Sequence, residues 1–431
     1  MWLQRSIKRA VGRRLTGARR LVLRREVPAL ESRLDALPEL GLYLHVPFCR
    51  QICPYCPYNK ELFDADLAQR YTQAALREID IYADLVGHKP VTSFYIGGGT
   101  PTTLLHAGLD RILEHVYASF PMQCDVHLES HVNDLSHDNL GLLLSLGVKH
   151  LSIGVEALQD RHLRTLCRPY TVDQAMAAVN RAVHAGFDCV NVDAIFALPG
   201  QTLAEIEELG HRMVALGADQ VTTYPLFEFP YTRWPQLARQ NGYRRFGALR
   251  KRRMLRTLEH IFYDAGFRRS SVWAFTRSGV PRYCSVTVPL YLGLGASGSS
   301  YLRDVFYVNT FNVRAYCEAL EQGRLPIALS LDLSPDMQMA GWLYWRLYET
   351  RFRKSRFYER FGRSFDEVFG KYFKLLALAG FLTDDGDEIV CSDRGTYWLH
   401  WVEDLFSIDY VGALWGTSGQ QPWPQEVVLT V

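Results

Sequence analysis

The sequence lacks the features that would place it in a membrane or outside the cell. Its 431 residues contain no apolar run as long as the roughly 18 residues that a bilayer-spanning helix needs. The first 25 residues also lack the continuous apolar stretch of a secretory signal peptide. We therefore expect a cytoplasmic protein, and its 48% hydrophobic composition is enough to bury the cores of two domains.

A strong excess of charge of either sign is also missing. With 48 Lys+Arg against 46 Asp+Glu, the net charge is +2, so the composition favours no polyanionic partner and we expect no nucleic acid. Residues 1–25 are a local exception, with nine basic residues and no acid. Apolar residues at helical spacing predict a basic amphipathic leader over residues 1–30 that contacts an anionic membrane surface. A frayed tail without a partner is the alternative.

The nine cysteines do not indicate a disulfide framework, because their number is odd and three of them fall within eight residues. Cys49, Cys53 and Cys56 have C-x3-C-x2-C spacing. A short loop after a strand can place three thiolates on three corners of one cubane cluster and leave the fourth iron without a protein ligand. The alternatives are a zinc site that lacks its fourth ligand and a reactive thiol pair. No further Cys or His stands at zinc-ribbon spacing.

Strand and helix patterns alternate from about residue 41 to residue 227. Short β-rich runs alternate with helical periodicities, which predicts parallel strands joined by right-handed crossovers in an α/β sheet that closes partly into a barrel. The predicted strands are Leu42–His45, Ser93–Ile96, Val126–Glu129, His150–Val155, Val190–Phe196 and Val221–Leu226. The predicted helices are Asp66–Ala83, Ala107–Ala118, Asn139–Leu146, Val172–Ala185 and Leu203–Leu216.

The chain after residue 245 has a different pattern, which is mainly helical and rich in aromatic residues. We expect a helix at 247–263, an irregular Gly/Ser-rich stretch at 293–300, and a helix at 365–379 followed by a hairpin that turns at Asp385-Gly386. Helix plus hairpin is a winged-helix-like pattern. The expected organisation is therefore a leader at 1–30, a core domain at 40–240 and a C-terminal domain at 245–431.

A second motif follows the strand at 93–96. The run Gly97-Gly98-Gly99-Thr100-Pro101 lets the backbone approach a ligand closely and expose its N–H and C=O groups. By itself, a glycine-rich loop after a strand is equally a tight turn. It gains weight because it lies one strand after the cysteine loop, so that both loops open on the same face of the barrel.

Several motifs in order resemble one family. The cysteine spacing, the glycine loop, Ser152-Ile-Gly-Val-Glu156 and Asp193-Ala-Ile-Phe-Ala-Leu-Pro-Gly200 together resemble the radical S-adenosylmethionine (SAM) family of oxygen-independent coproporphyrinogen III oxidases and their relatives. Haem chaperones, methylases and cyclopropanases are among these relatives. The resemblance implies a partial (β/α)6 TIM-like barrel, a [4Fe–4S] cluster, one or two SAM molecules, and an external one-electron donor such as flavodoxin or ferredoxin.

The resemblance also assigns residues to these ligands. It implies that Cys49, Cys53 and Cys56 hold the cluster. For SAM, it implies that Arg168 pairs with the carboxylate and Asp193 with a ribose hydroxyl, while Glu129 takes the amino group or a second SAM. These residue types suit the partners, because guanidinium groups fork onto carboxylates and carboxylates accept hydrogen bonds from diols. The further implied SAM contacts are Tyr43, Gly98, Gly99, Thr100 and Glu156.

The sequence departs from the oxidase pattern at two positions. The usual fourth cysteine is Tyr58 here, and the usual glutamine is Glu156. The His-Asn-x-x-Tyr-Trp pattern of the haem chaperones is missing as well. The leading interpretation is an oxidase-like radical SAM enzyme that acts on a tetrapyrrole or another bulky, partly apolar molecule. A two-SAM C-methylase or cyclopropanase and a non-catalytic haem chaperone are the alternatives.

Overall fold

The computed structural model describes Gly12, Gly17, residues 20–283 and residues 290–430. The strands of this part are β1 Arg20–Arg24, β2 Leu40–Val46, β3 Phe48–Cys49, β4 Glu61–Leu62, β5 Val91–Gly98, β6 Val126–His131, β7 Val148–Glu156, β8 Cys189–Phe196, β9 Gln220–Pro225, β10 Phe267–Arg269, β11 Ala274–Arg277, β12 Tyr291–Leu294, β13 Ser299–Leu302, β14 Val305–Asn309, β15 Ile327–Asp332, β16 Arg351–Arg353, β17 Leu382–Asp384, β18 Glu388–Cys391 and β19 Glu426–Thr430.

Fifteen α-helices connect or cover these strands within the described ranges. They are α1 Leu30–Asp35, α2 Ala65–Val86, α3 Leu109–Ser119, α4 His137–Ser145, α5 Asp160–Thr165, α6 Val172–Val183, α7 Leu203–Ala215, α8 Trp234–Gln240, α9 Ala248–Asp264, α10 Val313–Glu321, α11 Pro335–Tyr348, α12 Lys354–Phe361, α13 Phe365–Val368, α14 Gly370–Leu378 and α15 Asp393–Ser418. No helix in this part of the chain is long and apolar enough to cross a membrane.

Six parallel strands form the part of the sheet that carries the predicted motifs. Strands β2, β5, β6, β7, β8 and β9 lie side by side in chain order, each parallel to the next. Most of their residues are buried, as expected for strands covered on both faces. Side-chain caps fix where the crossover helices begin, for example the capping boxes of Thr171 and Thr202 before α6 and α7. The predicted α/β barrel-like core is confirmed.

The same sheet continues beyond the six strands to a total of fourteen. Strand β12 pairs in parallel with β2, and β13, β14, β15, β1 and β19 follow, while β11 and β10 extend the opposite edge. Two expectations are wrong here. Residues 20–24 form strand β1 rather than leader helix, and residues 293–300 form most of the β12–β13 hairpin rather than an irregular stretch. In the rest of the predicted leader, residues 1–19 lie outside the described residues except for two glycines, and residues 25–29 form a loop before α1.

The C-terminal region is mainly helical, as predicted. Strands β16, β18 and β17 form a small separate sheet, in which β17 and β18 are the predicted hairpin. Helices α11 to α14 pack their aromatic side chains against this sheet. The division into domains at about residue 240 stays a prediction, since the central sheet takes strands from both sides of that position.

Helix α15 covers the carboxyl edge of the six parallel strands. Tyr263 donates a hydrogen bond to Asp393 Oδ1 at 2.6 Å, and Tyr397 donates to the Ala248 carbonyl at 2.6 Å. These bonds hold the first turns of α15 against α9. One face of α15 therefore lies over the mouth of the barrel, where the predicted site residues are.

Candidate cluster and SAM site

The cysteine loop begins where β2 ends and is closed by its own backbone. Strand β3, which contains Cys49, pairs with β4, so the two ends of the loop lie together. Lys60 donates from Nζ to the carbonyls of Cys56 and Tyr58, both at 2.8 Å. These bonds fold the loop back on itself. Cys53 and Cys56 therefore project from a closed turn.

The three thiols of this loop line one cavity of about 430 Å³. All cysteines that the structure describes are free, so the three thiols are available as ligands. Thr100 Oγ1 lies 3.5 Å from Cys49 Sγ, and Arg168 Nη1 lies 3.2 Å from Cys53 Sγ, so both sulfurs face hydrogen-bond donors. Burial raises the pKa of the Cys49 thiol, and it raises the pKa of Cys56 to about 12. Binding of a metal must therefore displace protons from these groups.

The donor set fits an iron–sulfur cluster better than a single metal ion. Within the described ranges, no three His, Cys, Asp or Glu side chains converge on one ion. Thiolates that bind a cubane each take a different iron, so they do not need to converge. Three free thiols around an open cavity, two of them facing hydrogen-bond donors, have the arrangement that a cluster with one open iron requires.

The glycine loop lies directly against the cysteine loop. Gly99 N–H donates to the Val46 carbonyl and Thr100 N–H donates to the Phe48 carbonyl, both at 2.8 Å. A Cβ on Gly99 would lie 2.7 Å from the Phe48 carbonyl oxygen. Gly98 has a φ of +117°, which side chains rarely tolerate. The glycines are thus needed for the close approach of the two loops.

Glu129 closes one side of the cavity at the end of β6. Its carboxylate accepts hydrogen bonds from Tyr95 Oη and, at 3.1 Å, from Gly98 N–H. Burial raises the pKa of Glu129. Tyr95 in turn accepts a hydrogen bond from Tyr283 Oη at 2.7 Å, so a chain of hydroxyl groups orients the carboxylate.

Asp193, on β8, lines the same cavity. It accepts hydrogen bonds from Asn191 Nδ2 at 2.8 Å and from Ser152 Oγ at 3.0 Å. Burial, with a further contribution from the nearby charge of Glu156, raises the pKa of Asp193 to about 7. The side chain is held in place yet keeps lone pairs that can accept a hydrogen bond from a ligand hydroxyl.

Arg168 and Glu156 form a buried ion pair beside the cysteine loop. Arg168 Nη2 lies 3.4 Å from Glu156 Oε1, and Arg168 Nε donates to Tyr170 Oη at 2.7 Å. Burial raises the pKa of Glu156, whereas the charge of Arg168 lowers it. Glu156 also has a φ of +69°, an unusual conformation for a residue with a side chain. The strand end is therefore strained where it faces the cavity.

Ten of the eleven residues that the sequence singled out line this one cavity. They are Cys49, Cys53, Cys56, Gly98, Gly99, Thr100, Glu129, Glu156, Arg168 and Asp193. Tyr43 is the exception. Its ring stacks behind Tyr95, with ring centroids 6.1 Å apart, and its hydroxyl pairs with His45 Nδ1 at 2.8 Å. Its role beside SAM stays a prediction.

Sequence reasoning missed a second group of cavity residues. Tyr95 stands two residues before the glycine loop, and strand alternation could have placed it on the same face as Gly97 and Gly99. The others come from distant parts of the chain, and no local motif marks them. They are Tyr283, Trp273, Tyr348, His400 and Asp404.

Comparisons with known proteins agree with this geometry. Residues 43–213 match the Radical SAM superfamily. The heme chaperone HemW of Bacillus subtilis (strain 168) is 26% identical over 360 residues, which is 82% of this chain and 95% of that protein. The oxygen-independent coproporphyrinogen III oxidase of Bradyrhizobium diazoefficiens is 26% identical over 71% of this chain and 72% of that protein.

A solved structure shows the same fold. Coproporphyrinogen III oxidase (HemN) from Escherichia coli superposes with a TM-score of 0.76 at 22% sequence identity, and the match covers 89% of this chain and 94% of the other. Residues 43–213 are therefore similar to radical SAM domains, and the chain has the α/β fold of HemN. The proteins to which it is similar include heme chaperones HemW and oxygen-independent coproporphyrinogen III oxidases.

Proposed function

We propose that this protein is a radical SAM enzyme whose cluster is held by Cys49, Cys53 and Cys56. The observation that carries the proposal is the cavity itself, in which three free thiols, a glycine loop, an arginine and several carboxyl groups meet. When bound, the cluster and SAM would supply the reductive cleavage of SAM to a 5′-deoxyadenosyl radical.

The residues of the chain would act as holders and orienters in this reaction. Arg168 would pair with the SAM carboxylate, Glu129 would accept from the SAM amino group, and Asp193 would accept from a ribose hydroxyl. Each of the three is partly buried and already held by protein hydrogen bonds, so little further ordering is needed on binding. Helix α15 would exclude water from the mouth of the cavity while a radical is present.

We further propose that the substrate is a tetrapyrrole or another bulky, partly apolar molecule. The aromatic side chains of Phe227, Phe229 and Trp273 line the cavity on the side away from the glycine loop. The homologues named as coproporphyrinogen III oxidases support a tetrapyrrole. Use of a second SAM for methylation or cyclopropanation is the alternative within the same chemistry.

A decisive test is the production of 5′-deoxyadenosine. We expect protein reconstituted anaerobically with iron and sulfide to convert SAM to 5′-deoxyadenosine and methionine after reduction by dithionite. Cys56→Ala should abolish the product, whereas Cys124→Ala, a cysteine outside the cavity, should not. Absence of product from the wild-type protein, or equal amounts from both variants, would refute the proposed chemistry.

The homologues named heme chaperone HemW favour a second candidate function, haem delivery without turnover. A haem titration of the reconstituted protein separates the two functions. Stoichiometric haem binding with no 5′-deoxyadenosine would favour the chaperone, and product formation would favour the enzyme.

Two partners complete the proposal. An external one-electron donor such as flavodoxin or ferredoxin would reduce the cluster. A membrane contact would use the basic residues before β1. Because residues 20–24 form a strand, only residues 1–19 remain for a surface helix. The protein would then be cytoplasmic, with its leader at an anionic membrane.

A further inference from the structure

One wall of the cavity comes from helix α15, more than 200 residues after the last predicted SAM contact. The side chains that line the cavity from this helix are His400, Asp404, Ser407, Ile408 and Val411. Their spacing of three and four residues places them on a single helix face. None of them belongs to the set that the sequence assigned to the cluster or to SAM. This wall is therefore available to a second molecule in the same cavity.

His400 is the centre of a polar cluster on this wall. Its Nδ1 lies 2.9 Å from Glu403 Oε2, and its Nε2 lies 3.3 Å from Asp404 Oδ1. Trp273 Nε1–H donates to His400 Nε2 at 3.2 Å. Since an indole N–H can only donate, Nε2 is an acceptor and Nδ1 carries the proton that is donated to Glu403. The imidazole is therefore neutral and does not balance the two carboxyl groups.

No lysine or arginine balances these carboxyl groups at ion-pair distance either, within the residues that the structure describes. The charge of Lys251 lowers the pKa of Asp404, but the two side chains do not form an ion pair. Glu403 is 8% exposed, and its Oε1 has no hydrogen-bond partner in the described structure. Burial raises the pKa of both carboxyl groups. The cluster thus has more acceptors than donors.

The side chains around this cluster are aromatic. The Trp273 and Tyr348 rings meet the His400 ring edge-on, with centroids 5.2 Å and 5.5 Å away, and both rings line the cavity. The Phe227 ring meets the Trp273 ring edge-on, with ring centroids 6.3 Å apart. Aromatic faces attract cations as well as apolar groups. A molecule against this wall meets an apolar surface with one acceptor-rich point.

From this arrangement we propose that the substrate presents a nitrogen-bearing donor, such as an ammonium, an amidinium or a heterocyclic N–H, to Asp404 and the His400–Glu403 pair. Its apolar part lies against Trp273, Tyr348 and Phe227. This inference rests on the proposed function, because it assigns the α15 wall to the substrate of the same cavity. It makes Asp404 the specificity-determining residue, since Asp404 is the carboxyl group that lines the cavity.

The physical reason is the excess of acceptors over donors in the cluster. A cationic donor favours the ionised form of a buried carboxyl group, whose pKa burial otherwise raises, and it forms a charge-assisted hydrogen bond with that group. A carboxylate ligand at the same point would bring further acceptors and no donor. The wall therefore selects nitrogen donors over acids of equal size and shape.

A matched pair of probes tests this preference. Tryptamine and indole-3-propionate have the same aromatic part and the same two-carbon arm, and they differ in the terminal ammonium or carboxylate. We expect tryptamine to bind the reconstituted full chain at least about tenfold more tightly, as measured by ligand-observed NMR titration. Asp404→Asn should reduce this ratio to below about threefold, and Glu403→Gln should reduce it in the same direction. The control is Asp409→Asn, which removes the same charge from an exposed position of α15 and should leave the ratio unchanged.

Any one of four results would overturn the inference. The two probes bind equally, the acid binds more tightly, neither probe binds, or Asp404→Asn leaves the ratio of the two affinities unchanged. Circular dichroism of each variant shows whether it is folded. If Asp404→Asn does not fold, the affinity ratio of Glu403→Gln tests the inference instead. Iron content is measured on the same samples. Wild-type protein without iron would refute the proposed function, whereas the probe ratio can still be read on the iron-free chain.

Discussion

Glu78 allows a quantitative prediction, because its carboxyl group is completely buried and has defined partners. It lies on α2 and accepts hydrogen bonds from Gly295 N–H at 2.7 Å, Asn309 Nδ2 at 2.7 Å and Tyr316 Oη at 2.6 Å. It thereby fixes the turn after β12, where a Cβ on Gly295 would be 2.4 Å from the His45 carbonyl oxygen. Glu78→Gln removes the titratable group and keeps the size of the side chain.

The size of the effect follows from the shift in pKa. Burial, which outweighs the three hydrogen bonds, raises the pKa of Glu78 from 4.5 to about 7. At a pH below the pKa that Glu78 has in the unfolded chain, the group is protonated in both states and its full contribution to stability is present. As the pH rises toward the pKa of the folded state, the unfolded chain releases the proton first and this stability is lost. At 1.36 kcal/mol per unit, the complete loss is about 3 kcal/mol, of which about 2.5 kcal/mol falls between about pH 5 and about pH 8.

Urea titrations of the full chain at these two pH values measure the effect. From the lower to the higher pH, the free energy of unfolding should fall by about 2.5 kcal/mol less in Glu78→Gln than in the wild-type protein. Any constant cost of the amide cancels in this difference. Glu318→Gln, which removes an exposed carboxyl group from α10, is the matched control. If Glu78→Gln and the wild-type protein show parallel pH profiles, the reasoning about this buried group is wrong.

Three further predictions concern the site and the leader. Gly99→Ala should lower the free energy of unfolding by about 1–3 kcal/mol, because its Cβ would overlap the Phe48 backbone. Gly141→Ala, in α4, should not lower it, because a Cβ there has open space. Thermal unfolding of the two variants tests this difference. Arg168→Ala and Asp193→Ala should each weaken SAM binding by about 1–3 kcal/mol in equilibrium dialysis, and unchanged affinity in both would show that the contacts are misplaced. The full chain, but not a chain starting at residue 20, which keeps β1, should sediment with anionic liposomes at low salt; if both stay in solution, the membrane contact is wrong.

The parallel core could be predicted because its signals are local. Strands β2, β5, β6, β7 and β8 contain the predicted runs, and β9 ends one residue before the predicted end at Leu226. Strands that are buried on both faces keep an apolar pattern over several residues. The cysteine and glycine loops follow β2 and β5 directly, so their approach at one edge of the sheet follows from parallel pairing.

The wrong expectations depend on contacts between distant residues. Residues 20–24 have apolar spacing compatible with a helix, but they pair with β19, some 400 residues later in the chain. The glycines at 293–298 suggested an irregular stretch. They are needed by the hairpin instead, because a Cβ on Gly293 would lie 2.2 Å from the Ser299 carbonyl oxygen. Neither strand pairing can be recognised from the sequence alone.

The α15 wall of the cavity could not be predicted for the same reason. His400 and Asp404 follow an unremarkable helical pattern, and only the packing of α15 against α9 and Trp273 brings them to the cavity. A lone His–x–x–Glu–Asp run on a helix is more often part of a solvated face than of a site. The residues that we propose as SAM contacts could therefore be predicted from the sequence, whereas the proposed substrate wall could not.

The most direct test of the central claim is the electron paramagnetic resonance spectrum of the reduced, reconstituted protein with and without SAM. A cluster held by Cys49, Cys53 and Cys56 alone leaves one iron open for the amino and carboxylate groups of SAM. We predict a [4Fe–4S]⁺ signal that changes when SAM is added and that is lost in Cys53→Ala. A reduced cluster whose spectrum SAM leaves unchanged, or a signal that survives in Cys53→Ala, would contradict the account.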